Sequence, residues 1–423
     1  MRYRKFMHVG VFIVLSVVIS SVAFAGAPGP KPFLPNIPPG WSEIYPDPGF
    51  TYGEEHLTPS CSSCPTTDPE YSFFVRKGKV NKVLVFFNGG GACWDTMNCL
   101  VDPTYTPQVY ETVVDRQLGT GTPEAFSPID QGIFDFANCN NPFKDWYVVY
   151  LPYCTGDLFW GANDYPYPIG EDASYIIKHR GFVNFMAVLD WMKKNFRCPL
   201  QVFVTGSSAG GYGAILNYPY IRESFPLSRV YALGDAANGV VGEGFIDTAN
   251  EKWNIQYASW ILGSDVSALT MEDIYANIAA EYPFMKFAQY TTSWDATQSW
   301  FYYLQRMGPY GIPVVQAHDY WYPDPGNLTD PVNLAYLALE FDSFVVWHAQ
   351  MLAYTHGTAS LAPNYRYYIG AEDDHTIMRS DKFYTEDTAE GVSYSKWVRT
   401  MVDNPFGFLG GPLQGLWRSV EAE

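Results

Sequence analysis

The hydrophobic residues of this chain gather in short, unbroken runs and seldom alternate with polar ones. Runs rich in β-branched and aromatic residues fall at 71–75, 83–87, 147–151, 202–205, 230–233, 284–290 and 365–369. Several end in a polar or glycine-rich turn. A run with no polar face suits a strand covered on both sides, the normal case in a parallel sheet. Between the runs the period changes. Phe182, Phe185, Met186, Leu189 and Met192 recur at three-to-four spacing, which predicts a helix over 180–195 delivering the chain to the run at 202–205. Helical patterning also covers 271–281, 331–355 and 392–403. Strands alternating with helices imply an α/β-hydrolase-like fold: a mostly parallel central sheet with helices on both faces. In such sheets the site forms at the carboxyl ends of the strands.

One junction in this pattern carries chemistry. The run at 202–205 meets Gly206-Ser-Ser-Ala-Gly210, and a helix-like stretch follows. Strand, sharp turn and helix with glycines around a serine is the G-x-S-x-G arrangement that lifts a nucleophile clear of a sheet. Ser208 is the candidate nucleophile; the competing reading is a plain Gly/Ser-rich loop. A serine needs a base, and the base needs an orienting carboxylate. Four histidines follow Ser208. His348 and His356 fall in or just after an apolar helical stretch and read as packing or surface residues. His318 follows a short apolar run and competes as base. His375 follows the last predicted strand, where the hydrolase arrangement calls for a base, and is favoured. The acid is open on these grounds between Asp295 and Asp235, each just beyond a predicted strand, while Asp373 and Asp374 would have to fold back on their neighbour. Acyl transfer also needs backbone N–H donors for an oxyanion. Ala209 follows the nucleophile, and the run at 83–87 leads into Asn88-Gly-Gly-Gly-Ala-Cys93. No Gly-Lys-Ser/Thr follows either glycine cluster, so a nucleotide phosphate loop is set aside.

The chain opens with Arg2, Arg4 and Lys5, an apolar stretch and Ala23-Phe-Ala25. This is the pattern of a secretory signal peptide over 1–25, placing the protein outside the cell or in a periplasm. A Pro-rich lead-in over 26–48, extended on the surface or mobile, precedes a single catalytic domain at 49–423. Loss of the leader takes the formal net charge from -18 to -21. Such a surface disfavours nucleic acid and anionic membranes as partners, gives no reason to expect a stable membrane anchor, and does not favour a polyanionic substrate. The seven cysteines point to structural disulfides in an exported protein, with at least one thiol left over. Cys61-x-x-Cys64 reads as part of that framework more readily than as half a zinc site or a redox pair.

Taken in order, these segments resemble the pectin acetylesterase / Notum family of carboxylesterases, over roughly residues 71 to 380. Asn88-Gly-Gly-Gly-Ala-Cys-Trp94 with Cys99 is similar to the family's E-G-G-G-W-C…C segment. Asn141-Pro-Phe-Lys-Asp-Trp146 and Tyr150-Leu-Pro-Tyr-Cys-Thr-Gly-Asp157 resemble its N-P…W-N and P-Y-C-S-x-D stretch. Gly206-Ser-Ser-Ala-Gly-Gly211 resembles its nucleophile motif, Leu233-Gly-Asp-Ala-Ala237 its L-S-D-A-G, and Ser293-Trp-Asp-Ala-Thr-Gln298 its A-Y-D-S-W-Q. The resemblance implies Ser208 as nucleophile, Asp295 as acid and His375 as base, with Gly90, Gly91 and Ala209 as oxyanion donors. It implies a Cys93–Cys99 disulfide and Cys154 paired to Cys61 or Cys64, and makes Asp235 a pocket or structural residue. Trp94, Asp157 and Trp160 are further pocket candidates. Two departures flank the oxyanion loop: Asn88 stands for the family's Glu, and Ala92 for the Trp of plant members.

The reaction this implies is ester hydrolysis through an acyl-enzyme, with no metal or cofactor. An acetylated polysaccharide is the expected substrate. A short-chain esterase or lipase on another ester is the alternative, and an inactive glycan-binding protein on the same fold is the alternative from another class.

Overall fold

The computed structural model describes residues 34–64, 67–100, 109–116, 130–169, 172–265, 270–307, 322–388, 391–403 and 417–421. The signal peptide, the first part of the lead-in and His318 lie outside these residues.

The seven runs all become strands of one sheet. They are β2 (Phe73–Arg76), β3 (Lys82–Phe87), β4 (Tyr147–Leu151), β7 (Gln201–Ser207), β8 (Arg229–Asp235), β9 (Phe287–Thr292) and β10 (Tyr365–Gly370). With β1 (Trp41–Ile44) and β11 (Val420–Glu421) they lie in the order β1-β2-β4-β3-β7-β8-β9-β10-β11. From β4 to β11 the pairing is parallel; β1 and β2 form an antiparallel edge. The central strands are covered as their composition requires: Val83, Leu84, Val85, Phe86 and Phe87 are all fully buried. Each such side chain contributes roughly 1.5–3 kcal/mol over an exposed one.

The helices are α1 (Thr96–Cys99), α2 (Gly181–Asn195), α3 (Ala209–Ser224), α4 (Phe245–Trp253), α5 (Ser259–Leu262), α6 (Met271–Glu281), α7 (Ala296–Met307), α8 (Pro331–Leu361), α9 (Lys382–Thr385) and α10 (Tyr394–Asp403). Helix α3 packs on β3, β7 and β8, and α7 packs on α8. Helix α8 starts where Asp330 accepts a hydrogen bond from Val332 N–H, with Pro331 in the first turn. It runs six residues past the expected end: Gly357 does not stop it, and the next proline is Pro363.

Other differences from the sequence pattern have local causes. Strand β9 starts three residues later than the apolar run, since Phe284 is 86% exposed and Met285 N–H closes a turn on Tyr282. The lead-in was expected to be only extended or mobile, yet Trp41–Ile44 pairs with β2 and rests the Trp41 ring on Phe134, Phe136 and Tyr150. The hairpin of β5 (Asn163–Ile169) and β6 (Ala173–His179) escaped notice because Pro166 and Pro168 interrupt its first strand. A two-stranded ribbon has an open side where a proline loses no ladder bond.

Disulfides join Cys61 to Cys154 and Cys93 to Cys99. Cys64 corrects the expected framework: it stays a buried thiol whose Sγ donates to the Cys99 carbonyl at 3.7 Å. Ser62 N–H bonds the Cys154 carbonyl at 2.9 Å, and this anchors the chain so that Cys61 is the partner. The two bridges close loops of very different size, with separations of 93 and 6 residues. On chain-entropy grounds, removing Cys61–Cys154 by paired alanine substitution costs roughly 4–5 kcal/mol and removing Cys93–Cys99 roughly 2. Urea unfolding of the two double variants checks this; equal losses would contradict it.

Candidate active site

The turn between β7 and α3 is the strained element the motif requires. Ser208 has φ 57° and ψ -127°, a backbone conformation costly for a residue with a Cβ. It is held by hydrogen bonds on both sides. Ser208 N–H donates to the Asp235 carbonyl at 2.7 Å, and the Ser208 carbonyl accepts from Gly211 N–H at 2.8 Å. Gly210 lets α3 start against the sheet, because a Cβ there would overlap the Phe87 and Asn88 carbonyls. The segment 88–91 leaves β3 beside this turn; a Cβ placed on Gly89 would lie 3.1 Å from Ser208 Cβ. Gly91 has φ +72°, and any side chain there would strike the Val109 carbonyl. Gly90, Gly91 and Ala209 make no backbone N–H hydrogen bond among the described residues. Their donors stay uncommitted at the mouth of the turn.

Asp295 ends the β9–α7 connection and is completely buried. His375 Nδ1 lies 2.9 Å from each of its carboxylate oxygens. A carboxylate can only accept, so the proton sits on Nδ1 and Nε2 carries the lone pair. Nε2 has no hydrogen-bond partner among the described residues. Burial opposes a charge on His375, but the charge and hydrogen bond of Asp295, with the charge of Asp235, hold its pKa above the ordinary histidine value. Gln298, one turn into α7, gives both N–H groups to Asp295: its backbone at 2.8 Å and its side chain at 2.9 Å. Gln298 closes the Ser293–Gln298 motif, and its position three residues after an Asp that begins a helix is the sequence signal for this role.

Asp235 is equally buried and serves a different purpose. It accepts from Ser207 Oγ at 2.7 Å, Met378 N–H at 3.1 Å and Ile377 N–H at 3.3 Å. One carboxylate thus ties the strand carrying Ser208 to the loop carrying His375. Burial pushes its pKa up to about 6, against the pull of those three hydrogen bonds.

Ser208 and His375 face one cavity of about 1250 Å³ with the loop 88–91. The wall contributed by α7 and α8 is mostly apolar, with Trp300, Phe301, Leu337, Phe341 and Phe344, and also carries Glu340. Four expected pocket residues do not line it. Trp94 packs its ring on Phe245, and Trp160 packs on Tyr212 while donating Nε1–H to the Tyr212 carbonyl. Asp157 is buried under bonds from Thr155, Phe159 and Gly181, and burial raises its pKa to about 6. Asp235 is buried as described. Each is engaged in packing or buried hydrogen bonds, the alternative role that the sequence leaves open for Trp94, Trp160 and Asp235. Among the described candidate bases, the other two are engaged elsewhere: His348 stacks on Trp294, and His356 bonds Glu421.

Residues 67–261 match the family model described as Pectinacetylesterase. The chain is 26% identical over 198 residues to pectin acetylesterase 11 of Arabidopsis thaliana, covering 46% of each protein. It is 28% identical over 161 residues to palmitoleoyl-protein carboxylesterase notum1a of Danio rerio, covering 36% of this chain and 28% of that one. The chain therefore spans less than half the length of these curated relatives. Among solved structures it resembles the Wnt deacylase Notum from Drosophila, with a TM-score of 0.53 and 15% identity over 86% of this chain and 93% of that one. At that identity the likeness speaks for the fold. The resemblance to the pectin acetylesterase / Notum family is borne out.

Replacing Asp235 by Ala strands a hydroxyl and two N–H groups in a dry interior, and is expected to cost about 3 kcal/mol or more. Asp235→Asn keeps acceptors in place and should cost clearly less. Chemical unfolding measures both; a loss under about 1 kcal/mol for the Ala variant would contradict the tie.

Proposed function

We propose that this relative of the pectin acetylesterases and Notum is an exported serine carboxylesterase that removes acyl groups through a covalent acyl-enzyme. The observation that carries the reading is His375, fixed on Asp295 through Nδ1, with Nε2 unpartnered on the same cavity as the strained Ser208. In this reading His375 Nε2 takes the Ser208 proton as Oγ attacks the ester carbonyl. Gly90, Gly91 and Ala209 supply the N–H groups for the developing oxyanion. His375 then returns the proton to the leaving alcohol and activates water for deacylation, while Asp295 holds the tautomer and balances the imidazolium. Export rests on the leader pattern at 1–25 and suits the two disulfides.

Acetyl on a polysaccharide is the favoured acyl group, by likeness to the plant relative. The apolar wall of Trp300, Phe301, Leu337, Phe341 and Phe344 favours a second reading, a longer acyl chain. A panel of 4-nitrophenyl esters of increasing chain length decides between them: a peak at acetate supports the first reading, and a peak at long chains overturns it.

Ser208→Ala should lower kcat/KM on an aryl acetate by about 10⁴-fold or more. Unchanged hydrolysis would remove Ser208 from the mechanism. Because His375 must be neutral to act as base and its pKa is raised, the acid limb of kcat/KM should lie above the free-histidine value of 6.5. In Asp295→Asn the burial penalty remains while the compensating charge is gone. The His375 pKa should then fall, read by NMR titration of the ring, and kcat should drop by about 10⁴-fold.

A further inference from the structure

Gln298 stands at the centre of a hydrogen-bond set that reaches from Asp295 to three separate elements. It is the third residue of α7, and Asp295 lies just before that helix. Its backbone N–H donates to Asp295 Oδ1 at 2.8 Å, and its side-chain Nε2 donates to Asp295 Oδ2 at 2.9 Å. The two carboxylate oxygens are thus gripped separately, and His375 Nδ1 lies 2.9 Å from each of them. A carboxylate held at one oxygen can turn about its Cβ–Cγ bond. Held at both it cannot, so the plane that receives the imidazole N–H is fixed.

The rest of the amide decides which of its ends meets Asp295. Oε1 accepts from the Asn238 backbone N–H at 3.0 Å and, more loosely, from the Tyr212 hydroxyl at 3.4 Å. The second Nε2 proton goes to Thr291 Oγ1 at 3.2 Å, and Thr291 in turn donates to the Thr292 carbonyl. A backbone N–H can only donate, so the amide oxygen must face Asn238 and the NH2 group must face the carboxylate. All four hydrogen-bonding positions of the amide are used, and Gln298 is buried. Asn238 lies three residues past Asp235, and Tyr212 lies one turn beyond Ser208 in α3. One side chain thus ties Asp295 to the segment after β8 and to the helix that begins at Ser208.

We propose that Gln298 is a positioning residue of this site: its side-chain N–H fixes the Asp295 carboxylate so that His375 meets both oxygens, and so sets the orientation of the imidazole. The inference rests on the esterase reading of Ser208, His375 and Asp295 and adds a fourth side chain to it. Helix stability alone does not ask for glutamine. Either Glu or Gln closes a capping box at the third position of a helix, and an acid suits that end of the dipole, but only the amide always has an N–H for the carboxylate. The same N–H draws charge from Asp295 and moderates its pull on the imidazolium. Other charged or titratable groups near the pair are Asp235 at the end of β8, Tyr212 of α3, and His348 of α8 on the Ser293 carbonyl. The His375 loop itself carries Glu372, Asp373 and Asp374, with Lys382 paired to Glu372 and Asp374, and Arg379 on Asn88.

The test compares kcat, KM and the pH profile of 4-nitrophenyl acetate hydrolysis in the native enzyme, Gln298→Met and Gln298→Ala. Methionine keeps the length of the side chain and removes its donors and acceptor. In Gln298→Met kcat should fall by about ten-fold or more with KM within about two-fold, because alignment is lost and substrate contacts are not. Its acid limb of kcat/KM should move up by about 0.5 in pH, since a less compensated carboxylate favours the imidazolium. Both effects should be smaller in Gln298→Ala, where the vacated polar space admits a water that can donate to Asp295 in place of the amide. NMR titration of the His375 ring should give the same order. The position of the limb does not depend on how much enzyme is folded, so a destabilised variant still reports. A limb that stays in its native place or falls in Gln298→Met, whatever the activity, reduces Gln298 to a structural residue and overturns the inference alone. Absence of 4-nitrophenyl acetate hydrolysis by the native enzyme, or hydrolysis undiminished in Ser208→Ala, overturns the esterase reading, and the inference with it.

Discussion

The buried carboxylate of Asp235 is the constraint on which the arrangement of the site depends. A sheet fixes strands relative to one another, but the loop after β10 has no such ladder. It reaches its place because Asp235, at the end of β8, offers two acceptor atoms in a dry interior where Ile377 and Met378 have N–H groups to satisfy. The same carboxylate takes Ser207 Oγ, one residue before the strained turn. An unsatisfied donor there would cost as much as a sizeable core contact, so the loop and the turn are held in one geometry. Burying the charge is costly, as its raised pKa records. The cost is met by three hydrogen bonds and gives precision of position.

Asp295 and His375, the proposed acid and base, are assembled by similar means. Helix α7 begins at Asp295, so the helix dipole and two N–H groups of Gln298 stabilise a carboxylate that would otherwise resist full burial. The backbones of the two loops are laced together, with Ser293 N–H on the Gly370 carbonyl and Ala296 N–H on the Asp373 carbonyl. Precise placement of His375 therefore comes from rigid neighbours and not from its own exposed loop.

The parallel sheet was legible because its strands are buried on both faces, which leaves continuous apolar runs such as Val83 to Phe87. The Ser208 turn was legible because a strained turn and close helix packing demand glycines at fixed positions. What was not legible follows the same logic in reverse. Strand β5 is interrupted by Pro166 and Pro168, and β1 sits in a proline-rich stretch, so composition pointed away from pairing. Which aspartate meets His375 was open from residues alone, since both Asp235 and Asp295 follow strands and both are buried; the contact is made by Asp295. The pocket wall was missed because Trp300, Phe341 and Glu340 lie on helices far from the motifs in sequence. Trp94 and Trp160 stand near motifs yet pack on Phe245 and Tyr212, because adjacency along the chain says nothing about which face of a loop a ring occupies.

The departure at Asn88 links the nucleophile loop to the charge of the cavity. The family resemblance places a glutamate at this position, where a carboxylate would face Arg379 directly and cancel it. Here an amide oxygen accepts from Arg379 instead, and it carries no charge. Burial is the main cause that raises the pKa of the neighbouring Tyr150; Arg379 lowers it, and Asp115 and Glu111 raise it further. Asn88 and Arg379 both line the cavity, so a change from acid to amide at the start of the loop after β3 keeps the hydrogen bond and removes one negative charge from the lining.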